Sequence, residues 1–349
     1  MEFIEIVEAD LKVRLYSVRL GDTMKKIVAV AFVALCVTAI RVSGQGGETP
    51  PPWAYPQAQS QQRPPDDGKV HHLEGSTAGF TGTQINDPFA PPDWYPNEHP
   101  PMPEVVAHGR KPDLRACGQC HLTHGLGHPE SAGIAGLPAD YIVEQMHAYR
   151  EGRRKSSVGN SIMIALSKAA TDEEMRTAAE YYASLKVKPW LRIVEADMVP
   201  TTFVGPGNMR FATADGKMEP IGQRIIELPE DAEKAELRDG HSSFMAYVPK
   251  GSIAKGEELA TTGGDHVAGG KIVKGKTVAC AVCHGAGLKG LGNVPSLAGR
   301  SPIYLVRQLY DFKHGARAGK EVALMVPVVV GLTQEDMLNL AAYISSRQP

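Results

Sequence analysis

One five-residue pattern occurs twice: Cys117-Gly118-Gln119-Cys120-His121 and Cys280-Ala281-Val282-Cys283-His284. Each reads C-x-x-C-H, the spacing at which haem is attached covalently. Two thiols three positions apart, on one turn of backbone, can form thioethers with the two vinyl groups of a single haem. The adjacent histidine is then held against the ring, where an imidazole nitrogen can bind the iron. Cys117, Cys120, Cys280 and Cys283 are therefore the candidate attachment residues, and His121 and His284 the candidate iron ligands. The cofactors expected are two covalently attached haem c groups. Paired C-x-x-C motifs also occur in zinc folds; the histidine directly after each pair favours haem.

An iron held by one histidine keeps a sixth position. A methionine thioether there raises the potential and blocks substrate binding, which suits electron transfer. Met163 lies 42 residues after His121, and Met325 lies 41 after His284. Both fall in stretches that read as loops before the last helix of a unit, Asn160 to Ala165 in the first, so Met163 and Met325 are the candidate sixth ligands. Met146 aligns with Leu309 and reads as core filler. Met175 and Met337 are a matched pair, but each lies four residues after a helix cap, where a buried apolar side chain is expected. His124 and His128 follow the first pentapeptide closely and read as surface or propionate contacts. Arg154 and Arg317 come shortly after Gly152 and Gly315; each could pair with a buried haem propionate, or sit at a solvated helix C-terminus.

The elements that must position these residues repeat along the chain. Shifting the numbering by 163 takes Cys117 to Cys280, Tyr141 to Tyr304, Gln145 to Gln308 and Arg154 to Arg317. Beyond one deleted residue the shift is 162, taking Met163 to Met325, Thr171 to Thr333 and Met175 to Met337. Leu137-Pro138-Ala139 and Ser301-Pro302-Ile303 read as helix starts, the second with Pro in its first turn. Thr171 with Glu174 is a capping signal before an apolar-periodic run. Ala254 to Thr261 reads as a helix before the second pentapeptide.

These signals give a mostly α chain of five segments. Residues 1–44 hold a signal peptide, with Lys25-Lys26 ahead of an apolar run from Ile27 to Ile40; the run is short for a span of about 20 residues. Cys36 lies inside it and reads as part of the apolar run. An uncleaved N-terminal anchor is the alternative. Residues 45–103 form an extended Pro-rich arm, expected to have a mobile first half and a docked second half. His71-His72 point to different sides and make a poor metal site. Residues 104–188 form the first helical haem domain and 252–349 the second. Between them, 189–251 reads as a β-rich connector, with strand-like runs at Thr202-Phe203-Val204, Arg224-Ile225-Ile226 and Phe244 to Val248. The 349 residues carry a net charge of −2, which gives no basis for nucleic acid binding. Four of the five cysteines belong to the pentapeptides, which leaves no pair for a structural disulfide.

Two C-x-x-C-H units, each followed by a Y-x-x-x-Q helix, a Met and a capped last helix, resemble the tandem dihaem class I cytochromes c of bacteria. The second unit carries the pattern in Cys280 to Gly285, Gly290, Pro295 to Gly299 and Thr333 to Met337. The resemblance implies that Pro295 offers its carbonyl to the free nitrogen of His284; Ala132 stands at the matching position of the first unit. It also implies a periplasmic electron carrier between a dehydrogenase or quinol-oxidising complex and a terminal oxidase or reductase. Two other readings stand beside this. One is a cytochrome subunit of a dehydrogenase complex. The other is a dihaem peroxidase or sulfur-compound oxidase with one labile iron.

Overall fold

The computed structural model describes residues 48–159 and 161–349. The expected signal peptide and Cys36 lie outside the described residues. Among those described, no helix is long and apolar enough to cross a membrane.

The first pentapeptide forms a single turn, α1 (Gly118–His121), and is followed by α2 (Ala139–Arg150), α3 (Ile162–Ala169) and α4 (Asp172–Ser184). Thr171 caps α4: its Oγ1 accepts from Glu174 N at 3.1 Å, and the Glu174 carboxylate accepts from Thr171 N at 2.7 Å. Helix α3 corrects the reading of Asn160 to Ala165 as loop over residues 162–165; Asn160 lies outside the described residues. Ser161 caps its start by accepting from Met163 N, and Arg150, distant in sequence, donates to carbonyls at its end. Such remote capping leaves no local signature. Met163 thus sits in the first turn of a helix.

Three strands follow, β1 (Leu191–Ala196), β2 (Ile226–Pro229) and β3 (Phe244–Pro249), in one sheet with β3 central. β3 pairs in parallel with β1 and antiparallel with β2. Its side chains alternate between buried and half-buried, as a period of two requires. The Arg224-Ile225-Ile226 run enters this sheet only from Ile226.

The last third contains α5 (Ser252–Thr262), α6 (Ala281–His284), α7 (Pro302–Lys313), α8 (Val326–Val329) and α9 (Gln334–Ser345). Helices α5 and α9 cross at Gly256, where an added Cβ would lie 1.9 Å from Asn339 O. No residue but glycine allows that approach. The first unit has only Glu104–Ala107 in the place of α5.

The arm is anchored at both ends, which corrects the expectation of a mobile first half. Ala54 and Tyr55 are buried in the same core as α7 and α9. Tyr55 donates its hydroxyl to Asp311 at 2.9 Å. Further on, Trp94 packs with Leu73, Ile85 and Leu237 and donates Nε1 to Leu237 O at 2.8 Å. Proline supplies extended backbone, and the aromatics supply the apolar area that fixes it.

Glu227 of β2 joins the sheet to α7. It is buried and accepts from Ser301 Oγ, the α7 cap, at 2.9 Å and from Ile303 N at 2.7 Å. Burial pushes its carboxyl up from 4.5 to about 7, against the pull of these donors. Between those values the folded chain holds a proton that the unfolded chain has lost. Stability should therefore fall as pH rises through this window, by up to about 3 kcal/mol. Glu227→Gln should flatten that part of a pH–stability curve measured by denaturant unfolding. A curve parallel to that of the wild type would contradict the assignment.

Candidate functional site

The turn that places both cysteines also aims the histidine. In α1 the Cys117 carbonyl accepts from His121 N at 3.1 Å; in α6 the Cys280 carbonyl accepts from His284 N at 3.0 Å. His121 Nδ1 then donates to Ala132 O, and His284 Nδ1 to Pro295 O, both at 2.8 Å. A carbonyl can only accept, so each Nδ1 carries the proton and each Nε2 keeps its lone pair. Because the backbone oxygen does the work, alanine at 132 serves as well as proline at 295. Burial lowers the pKa of both imidazoles, which keeps them neutral and able to bind a metal. Burial also pushes the Cys117 thiol up to about 12 and the Cys280 thiol up to about 11.

Cys117, Cys120, His121 and Met163 all line one cavity of about 740 Å³ between α2, α3 and α4. Met146 and Met175 line it too, and Met175 is otherwise sealed in the core. The cavity is covered by the arm and by the loop before the Arg210–Ala212 strand. There Asn208 Oδ1 accepts from Ala58 N at 3.0 Å and from Gln61 Nε2 at 2.9 Å. The second site is more open. His284 is buried, but Cys283 is exposed and Val282 is 74% exposed. Leu291 and Leu324 are exposed as well. Met325 is half-buried against the core that holds Cys280, just before α8. Met337 is fully buried.

Arg154 and Arg317 are not at solvated helix ends. They meet at the seam between the two halves and are 6% and 4% exposed. Gln145 Oε1 accepts from Arg154 at 2.8 Å and from Arg317 at 2.7 Å; Gln308 Oε1 accepts from both at 2.9 and 2.8 Å. The backbones cross-pair symmetrically, Lys155 N to Ala316 O and Ala318 N to Arg153 O, both at 2.7 Å. Among the described residues neither guanidinium forms an ion pair, and Arg317 Nε has no partner. Buried cations without anions are costly. A cavity with two thiols, an imidazole of fixed tautomer and the unneutralised Arg154 guanidinium in its lining, which shares Gln308 with Arg317, fits haem and its propionates. Haem c held here supplies an iron that cycles by one electron.

His124 and His128 do not line this cavity. His128 lies 3.2 Å from Glu130, and the His124 ring packs against Gly240, where a Cβ would collide with it. His71 and His72 belong to no cluster of metal-ligating side chains among the described residues. Sequence reasoning missed Asp311, which holds Tyr55, Ser157 N and Ser157 Oγ together at 2.9, 3.1 and 2.6 Å. The repeat could have signalled it, because an acid stands where the first half has Ala148.

The Cytochrome c family pattern matches residues 254–348. Cytochrome c-554(548) of Halomonas halodenitrificans is 38% identical over 86 residues, 24% of this chain and 99% of that protein. The chain belongs to the cytochrome c family and binds haem c covalently. It is similar along more of its length to the thiosulfate dehydrogenase electron acceptor of Thiomonas intermedia. That match is 26% identical over 240 residues, covering 68% of this chain and 80% of that one. Among solved structures, thiosulfate dehydrogenase TsdBA of Marichromatium purpuratum aligns with a TM-score of 0.46 at 24% identity. The alignment covers 70% of this chain but only 39% of that one.

The crossed arginines sit beside both halves, so they should act on both potentials. Arg154→Gln removes a cation that favours the electron-rich form. Both midpoint potentials should fall, on the order of 60 mV for the nearer haem. Potentials unchanged in a redox titration would place Arg154 outside the electrostatic reach of the haems.

Proposed function

We propose that this chain is a periplasmic dihaem relay, carrying electrons from a dehydrogenase to an oxidase or reductase. In this reading His121 and Met163 are the axial ligands of one iron, and His284 and Met325 those of the other. Arg154 and Arg317 take the propionates, and the haem domains span 104–188 and 252–349. The observation that carries it is the doubled frame: the same pentapeptide pattern and tautomer-fixing carbonyl recur 163 residues apart, and the following methionine 162 apart. A methionine available in each half favours a relay over an enzyme that needs an open iron. Lys25-Lys26 and the apolar run to Ile40 support export.

The similarity to a thiosulfate dehydrogenase electron acceptor supports an enzyme of that kind as the donor. The covered first site and the open second site support the second as the port through which partners exchange electrons. The protein's own residues fix the ligands, neutralise the propionates and keep water from the first haem; the driving force comes from the partners.

Met163→Ala and Met325→Ala should each remove about half of the far-red Met-to-iron absorption and lower one of the two potentials. A variant that keeps the whole band would remove that methionine from the reading. In rapid mixing, thiosulfate dehydrogenase charged with thiosulfate should reduce both haems. No electron uptake would exclude that donor. Peroxide or thiosulfate turnover by the protein alone would contradict the relay.

A further inference from the structure

Three methionines line the first cavity, and besides Met146 of α2 two come from the helices that follow, Met163 from α3 and Met175 from α4. Their sulfurs are chemically alike, so what holds each helix decides which sulfur is presented. Two arginines touch both helices: Arg110, which donates to Ala169 O at 2.7 Å and to the Glu174 carboxylate at 2.9 Å, and Arg150, the one of the two that also reaches a methionine sulfur. Arg150, the last residue of α2, donates Nε to Ser167 O at 2.9 Å and Nη2 to Ala170 O at 2.7 Å, at the end of α3. Carbonyls there have no partner within the helix. Its Nη1 reaches Asp172, in the first turn of α4, at 2.6 Å, and its Nη2 lies 3.5 Å from Met175 Sδ.

We propose that Arg150 is a positioning residue that presents Met163 to the first haem, by clamping α3 and by donating to the competing Met175 sulfur. This rests on the reading of Met163 as the sixth ligand. The second half offers an internal comparison. There the counterpart is Lys313, whose Nζ reaches Leu332 O at 2.7 Å. An ammonium lacks the planar fork that serves several acceptors at once. That half stiffens its methionine segment differently, with Pro327 in the first turn of α8. No proline stands between Ser161 and Ala169, so the first half holds this helix by side-chain contacts, and Arg150 is the one that also meets Met175.

The test uses the mature dihaem protein. Arg150→Gln should weaken the far-red band of the first haem only and lower that haem's potential. It should also raise the affinity of the first iron for added imidazole roughly tenfold, the ratio that one lost charge-assisted hydrogen bond gives. Arg150→Lys should fall between Arg150→Gln and wild type, and carries the test if Arg150→Gln does not mature. Arg176→Ala breaks an exposed ion pair to Asp140, also between α4 and α2, and should change none of these readouts. Matured variants with wild-type band, potential and imidazole affinity would overturn the proposal, as would equal effects from Arg176→Ala. A Met163→Ala protein that keeps the band at the first haem would instead overturn the ligand reading.

Discussion

Two guanidiniums buried within one hydrogen-bonded ring are an arrangement that few surroundings tolerate. Each glutamine oxygen of Gln145 and Gln308 accepts from both Arg154 and Arg317. The ring gives each guanidinium two acceptors but leaves Arg317 Nε without a partner and two positive charges without an anion, which costs several kcal/mol per ion unless carboxylates arrive. The arrangement forms only when the two halves meet in one register, which the paired backbones on either side also enforce. The seam thus ties the relative placement of the halves to the group they enclose. A haem brings two propionates, the kind of anion that this ring lacks.

The two halves use one plan under different cover. In each, a single helical turn fixes the thiols, a backbone carbonyl fixes the imidazole tautomer and a threonine-capped helix closes the unit. The first half then borrows cover from outside itself, from Gln61 of the arm and Asn208 of the β-rich segment. The second leaves Cys283, Val282 and Leu324 at the surface. A haem roofed by its own chain loses and gains electrons mainly through its neighbour, whereas one with an open edge can meet another protein.

Much of this was legible in the sequence because it is local or repeated. The pentapeptides have fixed spacing, the capping boxes lie within four residues, and an offset of 163, then 162 beyond one deleted residue, checks each assignment against a second copy. What was not legible depends on contacts between distant residues. Helix α3 was hidden because its end is capped by Arg150. The arm's early anchor was hidden because Tyr55 finds Asp311, a residue far along the chain, and proline-rich composition says nothing about such a partner. The shared role of Arg154 and Arg317 was half visible: the repeat matched them, but only the fold showed that they meet. Glu227 gave no signal, since a carboxylate in a strand reads as solvated until a helix start lies against it.

Intact mass of the denatured protein, matured in a host that attaches haem c and combined with a pyridine haemochrome titration, tests the central claim most directly. The account predicts two haems per chain, both retained under denaturation and both lost from the mass only when the pentapeptide cysteines are replaced. One haem, none, or haem released on unfolding would contradict it.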